Sequence, residues 1–292
     1  MASLGQTTPL EVQQQIVTLY SEGLSISLIG ERLGINKSTV SKWVKHHGGQ
    51  IRDAKVARRI YTHNEEAFSR SSPEASYWLG FLLADGCVLQ PTRGSLRLVV
   101  ALADRDEYHL EQLRSFLGYT APLTRDTRKG QVRIVLPSDA ICNALIQKGC
   151  HPNKSLTLTF PDNGYFHSCH FIRGFFDGDG GIYYNEKVYC QPTFSIVGPK
   201  DFLADLQDVL VQEADMSKTK IYPHNASPVH YLSYTSRNNV QKMYDYLYEH
   251  GGPHLERKKH KFEYALAYHD RKCLWLLHHC GWRTSFCRQT VY

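Results

Sequence analysis

The chain has 292 residues, of which 42% are hydrophobic and 21% charged, and it carries a formal net charge of +6. This composition supplies enough apolar side chains for one or two folded domains and excludes a largely disordered chain. The positive charge permits a polyanionic partner without requiring one. Glycine or aspartate interrupts every apolar run well before membrane-spanning length, so we expect no membrane partner.

The eight cysteines include no CxxC pair, and the N-terminus shows neither a secretion signal nor an arginine-rich leader. In a chain of this length, an even number of cysteines does not by itself indicate a disulfide framework. We therefore expect reduced thiols and a cytoplasmic location.

Residues 1–48 are predicted to form an all-α domain. Glycine at position 23 is expected to end the first helix, Ser25 to cap the second, Gly34 to end it, and Asn36 to cap the third. The apolar residues that recur at helical spacing are Leu10, Val12, Ile16, Val17, Leu19, Leu28, Ile29, Leu33, Val40, Trp43 and Val44. A three-helix unit follows from this pattern.

Residues 49–73 are polar and basic, with few apolar anchors, and are predicted to be a linker. The arginines between Arg52 and Arg59 would either track phosphates or remain solvated. Pro73 and Glu74 suit the first turn of a new helix.

Residues 74–165 and 166–270 show the same order of signals, which predicts an internal duplication. Each half is expected to follow the order α-β-β-α-β-β-α, so the predicted fold class is α+β with pseudo-two-fold symmetry. The predicted segments of the first half are 95–102, 106–117, 120–125, 131–136 and 138–148, and those of the second are 191–197, 200–211, 218–222, 230–235 and 237–249.

Each half begins with an apolar helix that ends in Asp-Gly: WLGFLLADG at 78–86 and IRGFFDGDG at 172–180. Aspartate at a helix C-terminus faces the negative end of the helix dipole, which is unfavourable unless a cation compensates it. Gly80 and Gly174 occupy equivalent positions and would let the two helices pack closely, bringing Asp85 and Asp179 together. Oxygen ligands of this kind suit Mg²⁺, or Mn²⁺ in its place. A single Asp-Gly would simply be a turn, but two equivalent copies favour a metal site.

The two stretches resemble the paired motifs of the LAGLIDADG homing endonucleases, and the resemblance covers most of residues 74–270. It implies a single-chain enzyme that cuts both strands of a long DNA site and acts as a monomer. It also implies that Asp85 and Asp179 bind the metal and that the carbonyls of Ala84 and Gly178 lie beside it. Asp177 is left out of this set, because the first copy has leucine at the equivalent position.

A lysine follows the last helix of each half, and the resemblance implies that both lysines lie near the scissile phosphates. They are Lys154 and Lys258, which we expect to stabilise charge there. For a lone lysine a surface role is the usual interpretation, but the repeated position favours function. Lys259 is the alternative to Lys258.

The strands are expected to form two curved sheets whose polar faces read DNA in the major groove. The candidates are Arg93, Arg97, Arg125, Arg128, Lys129 and Arg133 in the first half, and Tyr183, Tyr184, Lys187, Lys218, Lys220 and His224 in the second. Each of these could equally be a solvated surface residue.

The N-terminal domain resembles a helix-turn-helix of the resolvase type, with Gly30, Gly34 and Val40 at the positions of a small residue, a turn glycine and a core aliphatic residue. The resemblance implies that its third helix enters the major groove of double-stranded DNA. Its outward candidates are Ser38, Thr39, Ser41, Lys42 and Lys45.

Two other functions remain open: a DNA-binding transcriptional regulator that keeps the fold without cleaving, and an intron maturase. Residues 271–292 are predicted to be a helical tail, since the C-x6-C-x6-C spacing there matches no known zinc pattern.

Overall fold

The computed structural model describes residues 8–22, 24–51, 61–152, 154, 157–161, 166–184, 191–224 and 228–267. The chain divides into two compact units, Met1–Thr62 and His63–Tyr292. Predictions for Gly23, for the arginines at 52–59, for Lys187 and for the tail at 271–292 lie outside the described residues. Within the described part, no helix has the length and apolar character that crossing a membrane requires.

The first unit contains helices α1 (Leu10–Ser21), α2 (Ile26–Leu33) and α3 (Lys37–His46). Their core consists of Ile16, Leu19, Ile29, Val40 and Val44, as the spacing predicts. Two predicted core residues are exposed instead, because they lie on the outer faces of their helices: Leu10 and Leu28.

Local signals define the start of α2 and the turn between α2 and α3. The Ser25 side chain accepts a hydrogen bond from the amide of Leu28, which confirms its predicted capping role. Asn36 occupies the predicted N-cap position of α3, but its side chain makes no capping hydrogen bond. Gly34 has a left-handed φ of 66°, which favours glycine. A Cβ on Gly30 would lie 2.8 Å from the carbonyl oxygen of Ile35, so this position does require a small residue.

The predicted linker at 49–73 extends too far towards the C-terminus. Ala67 and Phe68 belong to the core of the second unit, and the Phe68 side chain is only 2% exposed. Its ring packs edge-on against Phe116, with centroids 5.4 Å apart. The burial of Phe68 anchors this otherwise polar segment to the second unit.

The first half of the second unit follows the predicted element order. It contains α4 (Pro73–Asp85), β1 (Cys87–Leu89), β2 (Arg97–Ala103), a 3₁₀ turn (Asp104–Asp106), α5 (Glu107–Phe116), β3 (Thr124–Asp126), β4 (Gln131–Pro137) and α6 (Asp139–Gln147). The strands form an antiparallel sheet in the order β1-β2-β4-β3.

The second half repeats this order. It contains α7 (Ser168–Asp179), β5 (Gly180–Tyr183), β6 (Thr193–Gly198), α8 (Lys200–Glu213), β7 (Tyr222–Pro223), β8 (His230–Thr235) and α9 (Arg237–Tyr248), and residues 256–267 are again helical. The sheet order β5-β6-β8-β7 matches that of the first half, which confirms the duplication. The strand predicted at 218–222 is wrong in extent, because Lys218 and Lys220 precede β7.

Helices α4 and α7 form the seam between the halves. A Cβ on Gly80 would lie 2.0 Å from the carbonyl oxygen of Phe171, and one on Gly174 would lie 1.9 Å from that of Tyr77. The two backbones are therefore in direct contact at the two glycines, as predicted. This packing fixes the relative position of the helix C-termini.

Candidate functional site

Asp85 and Asp179 are the last residues of α4 and α7 and lie side by side at the seam. A Cβ on the neighbouring Gly178 would lie 3.5 Å from Cγ of Asp85 and 2.2 Å from Cβ of Ala84, so the two helix ends nearly touch. Both carboxyl groups reach solvent, although surrounding protein atoms displace part of their hydration. Burial and the charge of Asp85 raise the pKa of Asp179 to about 6. Burial also raises the pKa of Asp85.

The two lysines predicted from the sequence lie at the same helix ends and are buried, with Lys154 only 7% and Lys258 only 9% exposed. Lys258 Nζ donates hydrogen bonds to the carbonyl oxygens of Phe176, Gly178 and Gly180, at 2.7, 3.0 and 2.6 Å. Burial lowers its pKa to about 8, while Asp177 acts in the opposite direction. A cation at a helix C-terminus interacts favourably with the dipole. The surface interpretation therefore fails for both lysines.

The two halves provide these contacts differently. Lys154 Nζ donates to the carbonyl oxygen of Gly86, the counterpart of Gly180. The carbonyl of Leu82, the counterpart of Phe176, instead receives the thiol of Cys150, with an S···O distance of 3.6 Å. One ammonium thus donates to three carbonyls in the second half, whereas in the first a thiol and an ammonium donate to two of the three equivalent carbonyls.

The donors at the seam fit a hard divalent cation. The adjacent carboxylates of Asp85 and Asp179 concentrate negative charge there, and the Gly178 carbonyl, which the resemblance places beside the metal, accepts a hydrogen bond from Lys258 Nζ at 3.0 Å. Among the described residues there is no group of three or more His, Cys, Asp or Glu side chains that could hold a metal. A cation bound here would therefore complete its ligand shell with water or substrate oxygen, as Mg²⁺ commonly does.

Asp177 has a different environment from Asp179, two residues later. Its side chain is only 1% exposed, and its Oδ2 accepts hydrogen bonds from Tyr77 Oη at 2.7 Å and from the Leu255 amide at 2.8 Å. It faces the interior of the seam, which agrees with its omission from the predicted metal set.

The open face of the first sheet carries two of the predicted DNA-binding arginines. Arg97 and Arg133 are exposed and lie on the face that alternates with the buried residues of β2 and β4. Arg125 is opposite Val132 in the register and so lies on the other face, where its guanidinium pairs with Glu107 of α5. The register therefore corrects this candidate. Arg93, Arg128 and Lys129 are exposed in loops.

The open face of the second sheet is aromatic and hydroxylic among the described residues. Tyr183, Tyr222 and Tyr231 lie on it, with Lys220 Nζ 5.2 Å from the ring centroid of Tyr222. Lys218 is exposed and pairs with Asp208 at 2.6 Å. His224 stacks edge-on against Tyr231, whereas Tyr184 is partly buried against Tyr264.

The outward candidates of α3 in the first unit are where the helical spacing puts them. Ser38, Lys42 and Lys45 are exposed, and Thr39 and Ser41 are partly exposed. Lys42 Nζ lies 5.3 Å from the ring centroid of Trp43.

Sequence reasoning missed the residues that fix the segment before Lys258. Arg257 Nε donates to both carboxylate oxygens of Asp106, at 3.0 and 2.9 Å, and the Glu256 amide donates to Tyr108 Oη at 2.6 Å. These partners are about 150 residues apart in the chain, so no local pattern could reveal them.

Comparison with known proteins assigns a fold to each unit. Residues 8–52 match the family model of the homeodomain-like domain. The structure resembles the LAGLIDADG meganuclease I-AabMI bound to uncleaved DNA, with a TM-score of 0.51 and 12% identity over 70% of this chain and 92% of the other. A lysine-to-alanine variant of I-SmaMI gives a TM-score of 0.52 with 12% identity, over 70% and 94% of the two chains.

No curated protein matches the chain at the level of sequence. At 12% identity the structural likeness establishes the fold: the second unit has the fold of LAGLIDADG endonucleases. The first unit contains a helix-turn-helix of the homeodomain-like type.

Proposed function

We propose that this chain is a site-specific DNA endonuclease of the homing type, which makes metal-dependent double-strand breaks at a long recognition site. The observation that carries the proposal is the pair of carboxylates, Asp85 and Asp179, contributed by the two halves and adjacent at the seam. The shared fold with I-AabMI, a LAGLIDADG meganuclease described on DNA, supports it.

Mg²⁺, or Mn²⁺ in its place, is the cation that this site would hold. Asp85 and Asp179 would be its carboxylate ligands, with the carbonyl oxygens of Ala84 and Gly178 beside them. A bound divalent cation activates water as a nucleophile and stabilises charge on a phosphate. The protein's own contribution is to hold the two carboxylates at a fixed separation, which the glycine contacts of α4 and α7 achieve.

Lys154 and Lys258 would supply fixed positive charge where the phosphates approach. Electrostatic groups that are already oriented need no rearrangement during the reaction, and this makes them effective in a partly buried site. The hydrogen bonds of both ammonium groups to main-chain carbonyls keep them at the helix ends.

The two sheets and the helix-turn-helix would bind double-stranded DNA. Arg97 and Arg133 on the first sheet suit guanine edges, and Lys42 and Lys45 on α3 suit phosphates or bases in the major groove. Because both halves belong to one chain, a monomer could cut both strands.

The test uses a plasmid carrying the allele of the chain's own locus from which its gene is absent. Wild-type protein with Mg²⁺ should linearise the plasmid, and chelation with EDTA should prevent this. The double variant Asp85→Asn/Asp179→Asn should bind with similar affinity and leave both strands intact. Asp215→Asn, which changes an exposed carboxylate away from the seam, serves as the matched control and should cut normally.

Other outcomes would replace the proposal. If the wild-type protein binds this DNA tightly but produces no nick with Mg²⁺ or Mn²⁺, the chain is a DNA-binding regulator. If it accelerates splicing of an intron and leaves DNA intact, the chain is a maturase.

A further inference from the structure

A short segment after α9 joins the second half to the first, and we call residues 253–258 the bridging segment. The Glu256 amide donates to Tyr108 Oη of α5 at 2.6 Å. Arg257 Nε donates to Oδ1 and Oδ2 of Asp106, at 3.0 and 2.9 Å. Asp106 is only 4% exposed, so this ion pair is shielded from solvent on the carboxylate side.

A buried network of hydrogen bonds also holds the bridging segment, at Leu255. The His109 Nε2 and Tyr77 Oη atoms are 3.0 Å apart, and Tyr77 Oη donates to Asp177 Oδ2 at 2.7 Å. The same oxygen accepts the Leu255 amide at 2.8 Å. His109 and Tyr77 belong to the first half and Asp177 to the second, so this network of hydrogen bonds crosses the seam.

These contacts leave little freedom for the next residue, Lys258. Its backbone amide donates to the carbonyl of Leu255 at 2.8 Å, and its ammonium reaches three carbonyls at the end of α7. The orientation of Lys258 is thus set by α7 of its own half and, through Glu256 and Arg257, by residues of the first half.

The first half lacks the central element of this network. Leu83 occupies the position equivalent to Asp177, and its apolar side chain cannot accept a hydrogen bond from a backbone amide. Cys150 also contacts the carbonyl that corresponds to one of the partners of Lys258. The two lysines therefore have supports of different construction.

We propose that Asp106, Tyr77 and Asp177 are positioning residues for Lys258, and that they control scission of one DNA strand only. This inference rests on the proposed nuclease function and extends it, because it makes the two cleavage centres unequal. Weakening the bridging segment should misplace Lys258 and leave Lys154 and its strand unaffected.

Two measurements test the proposal on the full-length chain, with variants Asp106→Asn and Tyr77→Phe. The first follows nicking of DNA labelled separately on each strand, at saturating protein and Mg²⁺. We expect about a 10-fold slower cut of one strand, the size typical of a displaced supporting group, and less than a twofold change on the other. Lys258→Met should slow the same strand, and adding Asp106→Asn to it should have no further effect.

The second measurement does not depend on cleavage. Acetic anhydride modification, quantified by mass spectrometry, should label Lys258 faster in both variants than in wild type, with Lys154 unchanged. Glu111→Gln, which removes an ion pair with Arg114 on α5 and leaves the bridging segment intact, is the control and should behave like wild type in both assays.

Equal slowing of both strands, or unchanged labelling of Lys258 in folded variants, would overturn the proposal. A wild-type protein that cuts neither strand would instead refute the nuclease function, and faster labelling of Lys258 would then still establish the positioning role. Thermal melts of each variant separate these outcomes from simple unfolding.

Discussion

Replacing Gly80 by alanine perturbs the contact on which the whole site depends. The new Cβ would lie 2.0 Å from the carbonyl oxygen of Phe171 and 2.9 Å from the Phe175 amide nitrogen. An ordinary contact needs about 3.5 Å, so α4 and α7 must separate by roughly 1.5 Å. Both obstructing atoms belong to a helix backbone and cannot rotate away. We therefore expect a cost at the upper end of overpacking, about 3 kcal/mol.

Intrinsic helix propensity offsets part of this cost, because alanine is about 1 kcal/mol better than glycine in a helix. The net loss is then about 2 kcal/mol, which corresponds to a decrease in Tm of about 4–8 °C for the second unit. Differential scanning calorimetry measures it. Ser115→Ala, at an exposed position of α5, is the control and should leave Tm nearly unchanged.

The double variant Gly80→Ala/Gly174→Ala makes the test sharper. The Cβ of residue 174 would meet the Tyr77 carbonyl oxygen at 1.9 Å, across the same gap between the same helices. Once the first alanine has separated the helices, the second should cost less than it does alone. Strictly additive losses, or a Gly80→Ala variant as stable as wild type, would refute the backbone contact inferred here.

Three further predictions concern other parts of the chain. Burial lowers the pKa of His109 to about 3, so below about pH 6.5 the folded state holds fewer protons than the unfolded state. The free energy of unfolding should therefore fall as the pH decreases from 6.5 towards 3. His109→Gln should reduce the slope of this free energy against pH by up to about 1.4 kcal/mol per pH unit. Phe68→Ala should destabilise the second unit by about 3–5 kcal/mol in urea, whereas a residue in a solvated linker would cost almost nothing. Lys45→Gln should weaken DNA binding at low salt and reduce the slope of log K against log salt by about 1, and an unchanged slope would exclude a phosphate contact.

The features of the fold that the sequence predicted are determined by residues close together in the sequence or by a repeated pattern. Helical spacing identified Ile16, Ile29 and Val40 as the core of the first unit, and the equivalent glycines of α4 and α7 predicted their close packing. Two Asp-Gly helix ends in a duplicated order were enough to predict that Asp85 and Asp179 meet. Each of these inferences uses a short window or a repeat.

The wrong predictions concern residues whose positions depend on contacts with distant parts of the chain. One aromatic ring, Phe68, draws a polar segment into the core, and its composition gave no sign of this. Alternation within each strand made Arg125 and Arg133 equivalent candidates, but the strand register places them on opposite faces of the sheet. Sequence also predicted the repeated position of Lys258 after the last helix of its half, but not that Glu256 and Arg257 have their partners in the first half.

The charge balance at the seam supports the proposed cation-dependent reaction over one that would use the lysines alone. Asp85 and Asp179 contribute two negative charges, and Lys154 and Lys258 contribute two positive charges, so the four groups are neutral together. The C-termini of α4 and α7 add about half a negative charge each. Two scissile phosphates would bring further negative charge into a site whose ammonium groups already bind main-chain carbonyls. On the proposed function, divalent cations would supply the missing positive charge at the two adjacent carboxylates, Asp85 and Asp179.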